Sequence, residues 1–85
     1  MLTVEEVQIF ARLTPIFHDV LDNDAIELSR ELTARDVEEW DSLTHVRLIV
    51  AVERAFGIRF QSMEVADLKN VGAMVDLIQL KLREE

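Results

Sequence analysis

Apolar positions in this chain recur at helical spacing in three stretches, separated by one long aperiodic segment. Val4, Val7, Phe10, Leu13, Phe17 and Val20, with Leu21 beside them, repeat every three or four residues, the period of one helix face. Thr3 and Glu6 form a capping-box pair, so a first helix is predicted from just after Thr3 to near Leu21. Pro15 interrupts it. It either bends one helix or, with Thr14 as cap, starts a second in line.

Residues 22–41 show no sustained period; Leu28, Leu32 and Val37 stand alone among acids. A long ordered loop is expected there, a length that is uncommon in compact domains and often functional. A second helix should run between Asp41, a good N-cap, and Gly57, a good stop. Its predicted apolar stripe is Leu43, Val46, Ile49, Val50 and Phe56, widened by Ala51 and Val52. Ile58 and Phe60 suit a short extended link. Ser62 is expected to cap a short third helix reaching about Leu68. Asn70 should cap a fourth, with Val71, Met74, Val75, Ile78 and Leu82 on one face. The predicted fold is all-α: a small four-helix bundle of three longer helices and one short one, with a long acidic loop between the first and second. Phe17, Val50 and Ile78 are expected in its core.

Composition narrows the function. The 85 residues suggest one domain, 1–85, whose small core leaves little room for a catalytic pocket. Without Cys there is no disulfide framework and no thiolate metal site. His18 and His45 lie too far apart to suggest zinc, and His45 is expected at the surface. Asp22-Asn23-Asp24 begins like a calcium loop. However, Glu27 stands where that loop needs Gly, and Thr33 where it needs Glu, so no metal is expected. No apolar run approaches the roughly 20 residues of a membrane span, and no leader is evident; a cytoplasmic monomer is expected.

The formal net charge is −8, which disfavours nucleic acid as a partner. The excess is concentrated: residues 19–41 carry nine acids against Arg30 and Arg35, whereas residues 42–60 are net positive. A docking role for the acidic segment, toward basic protein surfaces, competes with plain solvation.

The chemically suggestive stretch is Glu39-Trp40-Asp41-Ser42-Leu43. Ser42 should occupy the first position of the second helix, where free amides and the helix dipole favour an anion. A phosphate ester on its hydroxyl suits that position, and so does a plain capping-region serine. A nucleophile with His45 as base and Asp41 as orienter lacks an oxyanion hole and a Gly-rich elbow. Trp40 is expected to pack at the start of the second helix, with lining the route of a tethered group as the alternative.

Asp41-Ser42-Leu43, the following helix from Thr44 to Phe56, Gly57-Ile58-Arg59-Phe60 and the C-terminal helices together resemble the acyl carrier protein family over nearly the whole chain. The resemblance implies a non-catalytic carrier. Ser42 would bear a 4′-phosphopantetheine arm, loaded from coenzyme A by a phosphopantetheinyl transferase that reads Asp41 and Leu43 beside it. The arm's thiol would hold acyl intermediates of fatty acid, polyketide or related specialised biosynthesis as thioesters. It also implies acyl-loading and acyl-processing partners with basic docking surfaces, met through Thr44, Arg47, Glu53 and Arg54. An acyl chain would be lined by Val46, Val50, Phe60, Ala66 and Leu68. An aminoacyl or peptidyl carrier, and an unmodified helical interaction module, are the alternatives. Thr44, Arg47 and Arg54 depart from the acids usual in the family's second helix, which points to a specialised member.

Overall fold

Thr3 starts the first helix as its sequence predicts. Its hydroxyl accepts the Glu6 amide at 3.2 Å, and the Glu6 carboxylate accepts the Thr3 amide at 3.4 Å. The structure, a computed structural model, describes residues 3–84. Among these it forms four α-helices and no strand: α1 (Val4–Leu21), α2 (Ser42–Phe56), α3 (Ser62–Ala66) and α4 (Val71–Glu84). Pro15 does not divide α1, which runs unbroken to Asp22, a left-handed C-terminal residue at φ 52°. Proline removes one amide donor within the helix. One residue earlier, the Thr14 hydroxyl donates to the Phe10 carbonyl at 2.9 Å.

α1 packs against both α2 and α4. Leu13 and Phe17 from α1, Leu48 and Val52 from α2, and Val71, Met74, Val75 and Ile78 from α4 are fully enclosed. Burial of one such side chain stabilises the fold by about 1.5–3 kcal/mol. Phe17 and Ile78 are therefore core, as expected, but Val50 is not: it is 41% exposed, and Val46 is 58% exposed. The inward face of α2 is Leu48, Ile49, Val52 and Phe56. The helix is apolar almost all round, so spacing alone does not select which stripe faces α1.

The connection between α1 and α2 is fastened at several points. The His18 Nε2–H donates to the Ile26 carbonyl at 2.8 Å, and Ile26 is buried. Arg30 spans α1 and α4, donating to Glu6 at 2.9 Å and Asp76 at 2.8 Å. The first amides of α4 then find acceptors in this connection: Val71 N–H donates to the Leu32 carbonyl and Gly72 N–H to the Arg30 carbonyl, both at 2.9 Å. Gly72 permits this approach, because a Cβ there would lie 3.0 Å from the Arg30 carbonyl oxygen. The Asn70 side chain takes the Ala73 amide at 2.7 Å, completing the cap. A single 3-10 turn, Ala34–Asp36, precedes the buried Val37.

The third helix is shorter than predicted and begins differently. Gln61, not Ser62, precedes it; the Gln61 amide donates to the Glu64 carboxylate at 2.7 Å, and the helix ends at Ala66 rather than Leu68. Glu64 also meets Lys81 at 2.9 Å, tying α3 to α4. Leu82, expected on the inner face of α4, is 39% exposed.

The corrected face of α2 separates two substitutions. Val52→Asp should abolish cooperative unfolding, because an unpaired charge there has no solvent. Val50→Asp should melt within about 3 °C of the unaltered protein, as exposed positions contribute little. Thermal denaturation followed by circular dichroism distinguishes them, and unfolding of the Val50 variant would contradict the assignment.

Candidate functional site

Asp41 builds the start of α2. Its carboxylate accepts the Leu43 and Thr44 amides, each at 3.0 Å. The Thr44 hydroxyl accepts the Asp41 amide and donates to the Glu39 carbonyl, both at 2.8 Å. The Thr44 amide above all, and the Leu43 amide after it, hold the Asp41 carboxyl below the usual carboxylate range. Because Asp41 performs the capping, the neighbouring serine is not needed for it. Ser42 stands at the first helical position with its side chain exposed.

Trp40 supports this corner from beneath. It is buried, with its ring edge-on to Phe17 at a centroid distance of 5.2 Å. Its indole N–H donates to His45 Nδ1 at 3.1 Å, and the two rings lie side by side, their planes within 22° of each other and their centroids 6.1 Å apart. His45 is thus half-buried and engaged rather than the surface residue its position suggests, and in this bond its neutral ring carries the proton on Nε2. This geometry removes the hydrolase arrangement. Asp41 is committed to helix amides, and His45 Nδ1 to Trp40, so no carboxylate orients the imidazole.

An open groove of about 460 Å³ adjoins the serine. Trp40, Asp41, Ser42 and His45 form one side, with Ala34; Val65, Ala66, Leu68 and Lys69 line the rest. Of the residues expected to line an acyl chain, Ala66 and Leu68 are therefore beside Ser42. Phe60 is half-buried against the core, while Val46 and Val50 lie outside on the exposed face of α2. The expected docking residues also divide. Arg47 and Arg54 are exposed, but Thr44 is occupied at the cap, and the Glu53 carboxylate accepts the Phe60 amide at 2.9 Å. His45 and Lys69 are groove residues that the sequence pattern did not single out as such, whereas Trp40 both packs on Phe17 and lines the groove, the two roles its position allowed. For His45 the usable signal was its five-residue separation from Trp40 across the helix start. Among the described residues no cluster of His, Cys, Asp or Glu could hold a metal.

Residues 11–78 match the phosphopantetheine attachment site family. The chain belongs to the acyl carrier protein family. A solved relative, the holo acyl carrier protein of Geobacter metallireducens, superposes with a TM-score of 0.83 at 47% identity, covering 88% of this chain and 86% of its own. The acyl carrier protein of Acidothermus cellulolyticus is 32% identical over 77 residues, 91% of this chain and 92% of the relative. The meromycolate extension acyl carrier protein of Mycobacterium leprae is 31% identical over 84 residues, 99% of this chain and 72% of the relative. This acyl carrier protein therefore has the helical bundle of its family, and its cofactor is covalently attached 4′-phosphopantetheine.

The cap is the most easily tested part of the corner. Asp41→Ala should lower the melting temperature of the carrier by about 5 °C at neutral pH. The Asp41 carboxyl is depressed in the folded state, so its contribution is complete above the ordinary carboxylate value and is lost as pH falls through the folded one. The gap between the two melting curves should therefore close in acid. A gap that is constant with pH would show that the carboxylate charge plays no part.

Proposed function

We propose that the protein carries acyl intermediates as thioesters on a 4′-phosphopantetheine arm attached to Ser42, and hands them to the enzymes that extend or consume them. The observation that supports this reading is the division of labour at the start of α2. Asp41 takes the amides that a capping serine would take, leaving an exposed hydroxyl at a helix N-terminus. A phosphodiester there benefits from the positive end of the helix. The groove beside it begins at Ser42 and continues over Val65, Ala66 and Leu68, so the residues fit an arm and the apolar part of its cargo. When attached, the arm supplies a thiol, which a chain without Cys lacks.

On this reading the protein performs no catalysis of its own. Ser42 Oγ supplies the attacking oxygen when a phosphopantetheinyl transferase acts, Asp41 fixes the helix end that presents it, and Leu43, 70% exposed, offers the transferase an apolar contact. Fatty acid, polyketide or a related specialised biosynthesis is the setting, in the cytoplasm. Acids of the connection, Glu38 and Glu39 among them, suit basic patches on partner enzymes, where complementary charge raises the rate of encounter.

Incubation with coenzyme A and a broad-specificity phosphopantetheinyl transferase tests the assignment by intact-mass spectrometry. The protein should gain one phosphopantetheine and the Ser42→Ala variant none. A folded protein that gains nothing, or a variant that still gains it, would overturn the proposal.

A further inference from the structure

The exposed face of α2 has the opposite electrostatic character to the connection that precedes it. Leu43, Arg47, Val50 and Arg54 follow one another at three- and four-residue steps, so they form a single row along the helix. All four are exposed, Leu43 at 70% and Val50 at 41%, and Val46 widens the apolar strip at 58%. At its far end Arg59 shares a surface groove with Val50, Glu53 and Arg54. The sole acid of the helix, Glu53, is turned to the Phe60 amide. The row therefore presents apolar side chains bordered by cations.

Helix stability does not account for both arginines. Arg54 lies in the last turn, where a cation complements the helix dipole, but Arg47 lies in the second turn. Nor do the valines serve the core, which α2 fills from its other side. Several apolar side chains exposed together, and not singly, mark a contact surface. This one begins at the residue after Ser42.

We infer that α2 docks to partner enzymes whose contact surface is an apolar slot rimmed by Asp and Glu. This rests on the carrier reading and specifies the partner for that same site. The acidic connection and the basic helix meet at Ser42, so an enzyme reaching the arm from the α2 side must offer carboxylates. A second copy of the chain is a poor occupant: its own α2 face would bring arginine against arginine.

The test uses an acyl–acyl carrier protein ligase whose docking face is rich in Lys and Arg, and a version of it with those residues changed to Glu. Each acylates the holo-protein and a loaded R47E/R54E double variant, whose melting curves are compared first. The unaltered carrier should show a KM about tenfold lower with the Glu-faced enzyme, and the double variant the reverse preference. Both preferences should shrink as salt is raised. Titration of the unloaded proteins against both enzymes should give the same order of Kd. Equal values in all four combinations, or a preference of the unaltered carrier for the Lys- and Arg-rich face, would overturn the inference. So would dimerisation of the carrier that R47E/R54E abolishes. A chain that never takes the arm fails the carrier reading at the mass spectrum, whereas the binding titration tests the surface regardless.

Discussion

The first amides of α4 have no partner inside their own helix, and the connection from α1 supplies one. This requirement organises the rest. The Arg30 and Leu32 carbonyls accept those amides, Gly72 leaves space for the approach, and the Arg30 guanidinium closes on Glu6 and Asp76. A connection that lacks a regular hydrogen-bond pattern of its own is thereby held at its middle against two helices. Its remaining length then delivers Val37 and Trp40 to the core, and Asp41 to the start of α2. The serine is placed by a chain of contacts that begins at the first turn of α4.

Much of this was legible in the sequence because it depends on neighbours in the chain. Thr3 with Glu6, Asp41 before α2, Gly57 after it and Asn70 before α4 all act within a few residues, and their side-chain chemistry states the role. The serine at the first position of α2 follows from the same local logic. The face of α2 did not. Leu43, Val46 and Val50 form as good a stripe as Leu48, Ile49 and Val52, and only packing on α1 separates them. His45 was misplaced for a similar reason, since its partner is an indole that reaches it from outside the helix. The tie between Arg30 and Asp76 bridges residues far apart in sequence and leaves no periodic trace.

The corner around Ser42 combines rigidity below with openness above. Asp41, Thr44, Trp40 and His45 are each fixed by hydrogen bonds or close ring contacts, whereas Ser42 and Leu43 project into solvent. A carrier needs this contrast. On the reading proposed above, in which Ser42 bears the arm, the attachment point must hold its orientation while successive enzymes approach, yet none of those enzymes should find it already engaged. Weak contacts at an exposed surface also allow rapid release, which a shuttle requires.

Trp40 is the only indole in the chain, and it forms part of the groove wall while resting on Phe17. Its fluorescence therefore comes from one place, a few side chains from the serine. Whatever enters or leaves the groove alters the polarity around that ring, and its emission shifts with it. If the groove receives cargo as proposed, the protein contains its own optical gauge of occupancy, readable without a label.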